Sequence, residues 1–363
     1  MKVKPNHNSQ FSRRDFIRTA TLSTVSVVIY GCITENQPLI EIFNSPKRFT
    51  RRHGDLTANI CGSLSSQVKN ARYSLNEGSW VAIAQGRPRT PAPIFTIELK
   101  AEDLLEGINQ LKIEAISTQE VSEIQTLEFE YNSSEISLPI ICDWSKEEDI
   151  LDVQDGLWER YQLDNQWRVR PKPGFEEYDR ILNVTGAFPG GRRIETDVIF
   201  RRNIWWMEGG FRDYGFGVLS MWGGHPDEPL FRPRRGWRFG LSLYWKPIDS
   251  LRLEFSEKYG DAKPINKYSP KQDFEPKGNM RYFIVVESVP VQDKLGNHLY
   301  YQQRTKWWQE GESEPDTWME VDSLKEGKSM IPEGEYAVAL LAHRTQVDFG
   351  VVKITPLEPL VVN

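Results

Sequence analysis

Two stretches of this 363-residue chain gather side chains that grip polar ligands. The first contains Trp222, His225, Asp227, Glu228, Arg232, Arg234, Arg235 and Trp237; the second contains Tyr300, Tyr301, Gln303, Arg304, Trp307 and Trp308. Flat aromatic faces suit the C–H surfaces of sugar rings, and planar polar groups suit their hydroxyls and carboxylates. Arg232, Arg234 and Arg235 lie within four positions on a chain of net charge −6. Guanidinium groups pair bidentately with anions, so this cluster suits uronate or sulfate. The structural reading stays open beside it, in which same-parity aromatics fill a core and the arginines pair with neighbouring acids. A third use is β-elimination, which needs a Tyr or His base and a cation or amide to neutralise the uronate carboxylate. Tyr244, Tyr301, His225 and His343 are candidate bases, with Arg238, Arg281, Gln303 and Arg304 as neutralisers. The chain has no nucleophile motif for a serine or cysteine triad and no phosphate-binding glycine loop, so no catalytic residue is assigned.

The elements that must position these residues read as strands. Aromatics make up 12% of the chain, with 26 Gly and 22 Pro, a balance favouring short strands and turns. Residues 57–64, 72–75, 80–84, 94–99, 109–116 and 126–131 read as strands, and Asn76-Glu77-Gly78 reads as a turn. Further on, Ile194, Thr196, Val198 and Phe200 alternate with Glu195, Asp197 and Ile199. Trp237, Phe239, Leu241, Leu243 and Trp245 share one parity, as do Met280, Tyr282, Ile284 and Val286. Leu251, Leu253 and Phe255 do the same, and the last strands are expected over 334–342 and 349–355. Loop-connected strands in this number predict an all-β chain of stacked antiparallel sheets.

Several segments carry family likenesses. Leu105-Glu106-Gly107-Ile108-Asn109-Gln110-Leu111-Lys112-Ile113-Glu114-Ala115 resembles a strand of bacterial immunoglobulin-like modules. Tyr178–Leu182, Arg193–Val198 and Gly215–His225 resemble laminin-G-like, concanavalin A-like jelly rolls. The segments Gly334-Glu335-Tyr336, Leu341–Arg344 and Asp348–Ile354 are similar to the paired terminal strands of that family. The resemblance implies carbohydrate binding, in some members with calcium, yet the fold also hosts glycosidases, lyases and adhesion modules. Calcium needs several oxygen ligands, and Asp227 and Glu228 in their Gly-Gly-His-Pro loop supply two. Glu314, Asp316 and Glu320 have the E-x-D-x-x-x-E spacing of one jelly-roll glucanase family, whose paired carboxylates act as nucleophile and acid. Pro315 argues against a central strand there, and the surroundings read as a polar loop.

The start of the chain reads as an address. Ser12-Arg13-Arg14-Asp15-Phe16-Ile17-Arg18 resembles a twin-arginine export motif, and Ile29-Tyr30-Gly31-Cys32 resembles a lipobox. The apolar run 19–31 is too short for a permanent span, so a cleaved signal with lipid on Cys32 is expected. Twin-arginine cargo crosses the membrane already folded. The first 31 residues carry +4, which leaves −10 beyond them and argues against nucleic-acid binding. A mean hydropathy of −0.53 excludes a polytopic membrane protein. Cys61 and Cys142 remain, with a disulfide chemically possible outside the cytoplasm. The expected organisation is a signal over 1–31, a tether over 32–48, an immunoglobulin-like domain over 49–140 and a jelly roll over 141–363. The expected activity is non-catalytic binding of an extracellular or envelope polysaccharide, acidic by the arginine argument, with membrane attachment through the lipid. Polysaccharide lyase or glycoside hydrolase is the alternative, and protein–protein adhesion the second.

Overall fold

Alternation in the sequence carries through to strands: the described residues form no α-helix, and one 3-10 turn stands at Ala101–Asp103. The computed structural model describes residues 38–363 except 45, 88–89, 147–150, 177, 204–213, 227–232, 247–249, 255–275 and 326. The segments expected to be a signal and a lipobox, residues 1–32, therefore lie outside the described residues. No helix among those described is long and apolar enough to cross a membrane.

The first sandwich faces a four-stranded sheet against a five-stranded one. In spatial order the four are Ile40–Asn44, Ala58–Leu64, Thr90–Leu99 and Gln85–Arg87. The five are Arg48–Thr50, Ser122–Asn132, Gly107–Ser117, Val68–Leu75 and Val81–Ala82. Leu111, Ile113 and Ala115 point inward with Ile60, Phe95, Ile97 and Phe129. Glu114, of the opposite parity on that strand, is buried too, and Arg72 and Ser122 Oγ hold its carboxylate. Ile40–Asn44 falls within the expected tether yet pairs with Ala58–Leu64. Five residues carry too little periodicity to read alone; the open edge of their partner makes them a strand.

The second sandwich stacks a six-stranded sheet on a ten-stranded one. The six run Asp152–Asp155, Arg180–Asn183, Ala337–His343, Tyr214–Trp222, Leu241–Lys246 and Ser250–Glu254. The main path of the other sheet runs Trp158–Leu163, Gln166–Pro171, Thr345–Phe349, Gly191–Asn203, Met280–Gln292, His298–Gln309 and Met319–Asp322. Ile140–Cys142 joins it through Val352–Leu357, and Leu360–Val361 lies parallel along Met280–Gln292. Phe216, Val218, Val338 and Leu340 fill the space between the sheets with Val198, Ile284, Val286 and Trp307.

The six-stranded sheet is buried on both faces, as the unbroken burial of Tyr214–Trp222 and Ala337–His343 shows. Its second face, with Ile181, Leu219, Ala339 and Leu341, is covered by Trp237 and by Leu56 from the first sandwich. The alternation from Trp237 reads as one strand, but the strand begins at Leu241. Gly236 and Phe239 take positive φ values of 76° and 70°, folding Trp237 and Phe239 into a cover.

Charged groups lock the two sandwiches together. Asp55 pairs with Arg238 and, at 3.7 Å, with Arg234, which also lies 3.4 Å from Glu98. Arg52 pairs with Asp152, Arg51 Nε donates to Glu335 at 2.7 Å, and Asn59 Nδ2 donates to the Gln154 carbonyl at 3.0 Å. The hydrogen bond from Arg51 holds the Glu335 carboxyl below the usual carboxylate range. A carboxylate depressed in the folded state contributes stability that is present above its unfolded value, about 4.3, and is lost as pH falls through the folded value. Denaturant midpoints from pH 7 down to pH 3 should therefore fall more steeply for the wild-type chain than for Arg51→Met. Parallel profiles would remove this pair from the acid response.

Candidate functional site

The structure places most of the expected ligand-contacting side chains in the interior. Trp222 and His225 are fully buried edge to face, with ring centroids 5.2 Å apart. His225 Nδ1 lies 2.6 Å from the Gly236 carbonyl oxygen and Nε2 lies 3.3 Å from that of Gln154. Arg234 belongs to the lock between the sandwiches, its main-chain N–H also donating to Glu98 at 2.8 Å. Tyr301 is buried beside Met221, Phe239 and Tyr336. Gln303 donates to Ser288 Oγ at 2.7 Å and accepts from Ser220 Oγ at 2.9 Å. Trp307 packs on Phe216 in the core at 5.8 Å. These six have no open face for a ligand, because sheet faces expected to meet water are covered.

Arg235 is half-buried, with its guanidinium 5.9 Å from the Tyr178 ring centre. Tyr244 lies on Leu241–Lys246, where the backbone alone is described, while Asp227, Glu228 and Arg232 fall outside the described residues. Among the described residues no group of three or more His, Cys, Asp or Glu side chains could hold a metal ion. Cys61 and Cys142 are thiols, with Cys61 Sγ 3.6 Å from Thr96 Oγ1.

From the second stretch, Arg304 and Trp308 join sets of groups on the outer face of the ten-stranded sheet. Register aligns Arg193, Glu287, Arg304 and Glu320 across four neighbouring strands. Glu287 is buried (4% side-chain exposure) and binds both arginines, Arg193 at 2.8 Å, while they stay 25% and 29% exposed. The acid is thus the buried counter-ion of two guanidinium groups facing water. Beside them lies the half-buried indole of Trp318, with Arg193, Arg304 and Lys306 at 6.0, 4.8 and 4.5 Å from its ring. Burial raises the Glu195 carboxyl, but Arg193 and Lys353 outweigh it and hold the group below its ordinary value.

A second aromatic plate shares this face. Asp197, Phe283 and Trp308 stand in register, and the Phe283 and Trp308 rings stack 5.5 Å apart. Arg281 lies 5.3 Å over Phe283 and donates to Asp197 at 2.8 Å, which holds the guanidinium above its ordinary value. Four residues separate the two rows along a strand, which is ~13 Å at the usual rise. Trp318 escaped the sequence reading because it stands alone before the short alternation of Met319, Glu320 and Val321.

Two possible acid–base sets differ in their geometry. Glu314 and Asp316 lie in the loop before Met319–Asp322, and Glu314 pairs with Lys306 at 3.1 Å, so the glucanase spacing does not occupy one strand. By contrast, buried His343 Nδ1 lies 2.8 Å from Asp179 Oδ1, and Tyr178 meets the imidazole edge on at 4.6 Å. Arg344 lies 5.1 Å from the same phenol ring.

No protein-family model matches the chain, and no curated protein sequence matches it. Similar solved structures include the carbohydrate-binding module CBM66 from Bacillus subtilis, with 13% identity over 56% of this chain and 93% of that one, at a TM-score of 0.33. The Ca2+/Man-bound exoplasmic/lumenal domain of VIP36 has 12% identity over 55% of this chain and 83% of its own, at 0.35. The metal-free carbohydrate recognition domain of Emp46p has 13% identity over 55% and 87%, at 0.32. What places this chain among antiparallel β-sandwich proteins is its own strand topology.

Proposed function

We propose that this is an exported, lipid-anchored protein whose second sandwich binds an acidic polysaccharide without cleaving it. One observation carries the reading: two aromatic plates edged by guanidinium groups lie on one sheet face, spaced for an extended chain. Indole and phenyl faces take the C–H surfaces of sugar rings, and Arg193, Arg281, Arg304 and Lys306 take the anionic groups. The carbohydrate-binding neighbours fit this reading. Export and lipid on Cys32 rest on the twin-arginine and lipobox motifs, and the first sandwich acts as a rigid support.

The test is retention of the full chain on uronate-bearing, sulfated and neutral polysaccharides, while reducing ends and unsaturated products are followed. We expect retention on acidic polymers with no new ends, weakened about tenfold by Trp318→Ala or Arg304→Gln and weakened by salt. Equal retention by both variants would sink this site. Calcium held by Asp227 and Glu228 would make retention sensitive to a chelator, so both conditions are run.

The Tyr178–His343–Asp179 set with Arg344 and Arg235 favours a second reading, β-elimination. There Tyr178 takes the proton beside the uronate carboxylate, the freed electron pair forms the double bond, and the glycosidic oxygen leaves with a proton from water. Unsaturated product in the same assay would select this reading over simple binding.

A further inference from the structure

We propose that the cleft between the two sandwiches binds a small polyhydroxylated anion, a sugar acid or sugar phosphate, independently of the outer sheet face. The cleft encloses about 450 Å³, within the range of small-molecule sites, which favour such junctions. The first sandwich contributes Lys47 and Thr50; the second contributes Trp144, Asp152, Asn183 and Thr185.

The floor is a built set of acceptors. Arg52 binds the Asp152 carboxylate, which also accepts from Gln154 Nε2 at 2.9 Å and Asn183 Nδ2 at 2.8 Å. Asn183 Nδ2 donates as well to the Thr185 carbonyl at 2.5 Å. These two donations fix which way the amide points. Asn183 Oδ1 is thereby left as an acceptor, on a side chain 3% exposed, with no hydrogen-bond partner among the described residues. A buried acceptor without a donor costs free energy, and a ligand hydroxyl supplies that donor when the amide shifts slightly towards it. Trp144 is held beside this floor by its indole N–H, which donates to the Gly350 carbonyl at 2.7 Å.

The rim has the opposite chemistry. Lys47 and Lys146 are exposed and line the cleft. Neither makes an ion pair within 4.0 Å among the described residues, whereas the neighbouring Arg48 is paired with Glu130 at 2.9 Å. Hydrogen bonds from the Ser145 hydroxyl and main-chain N–H hold the Asp143 carboxyl below its ordinary value, and Lys146 adds to this. Two ammonium groups above hydroxyl acceptors select a ligand that is anionic at one end and hydroxylated at the other.

The experiment is calorimetric titration of the full chain with glucuronate, glucose 6-phosphate, glucose and inorganic phosphate. We expect one-to-one saturable binding of glucuronate or glucose 6-phosphate, with glucose and phosphate at least about tenfold weaker. Which of the two anions binds more tightly identifies the source of the charge. Lys47→Ala with Lys146→Ala alters only exposed side chains and should weaken binding about tenfold. Trp318→Ala should leave it unchanged, and the lysine variant should leave polysaccharide retention unchanged, so either site can fail alone. Absence of saturable heat from every probe overturns the proposal. So does phosphate binding as tightly as the sugar phosphate, indifference to the lysine variant, or loss on Trp318→Ala.

Discussion

Replacing Arg192 by alanine should lower stability by about 4 kcal/mol, from lost charge-assisted hydrogen bonds and the cavity left behind. The guanidinium is fully buried and donates to the carbonyls of Tyr336 at 2.7 Å and of Phe188 and Gly190 at 2.9 Å, lying 4.0 Å over the Phe188 ring. No carboxylate pairs with it among the described residues. Burial pulls its pKa down to about 10. The Tyr336 and Phe188 carbonyls each keep a backbone hydrogen bond from the other residue, which limits the loss to them. Arg192→Met fills more of the cavity and should cost less, ~2 kcal/mol. Urea midpoints of the two variants check the order, and a loss below about 1 kcal/mol for alanine would mean that the arginine contributes little.

Gly224→Ala should cost at least ~3 kcal/mol and part the cover from the sandwich beneath it. Gly224 has φ +90°, and a Cβ there would sit 2.2 Å from the Asp55 main-chain carbon and oxygen and 2.5 Å from Leu56 N. These are backbone atoms, so the strand bridge between Asp55 and Gly224 must open. Leu56 then lifts from Ile181 and Leu341, and Asp55 moves from Arg234 and Arg238. Gly54→Ala is the control: its φ is +58° with nothing within 4 Å of the added carbon, so it carries backbone strain alone, ~1 kcal/mol. Unfolding should stay a single transition in the wild type and the control and split into two in Gly224→Ala. A single unshifted transition in that variant would show that the contact is dispensable.

Strand positions were legible because alternation is a local property. Leu111, Ile113 and Ala115, or Ile194, Thr196 and Val198, declare a half-buried strand within a few residues. Ligand contacts were less legible because exposure depends on what covers a face. Trp222, Gln303 and Trp307 have suitable chemistry for sugar, but the chain stacks its sheets and adds a cover over them. The row from Arg193 through Glu287 to Arg304 joins residues on different strands, so no short window contains it. Glu314 and Glu320 stand out as carboxylates at a motif spacing, whereas Trp318 between them belongs to no pattern of its own. Ile40–Asn44 was missed for the same reason as the row: what makes it a strand is its neighbour.

The lock between the sandwiches also sets an order on synthesis. Arg51 and Glu335 are 284 positions apart. At about 5–20 residues per second, the ribosome makes Glu335 roughly 15–60 s after Arg51. During that interval Leu56 has no Ala337–His343 strand to rest on, although the last strand of the first sandwich, Ser122–Asn132, is made early in it. A nascent chain is therefore exposed at this segment until the last stretch appears, and a binder shielding Leu56 would act on maturation without touching the finished protein.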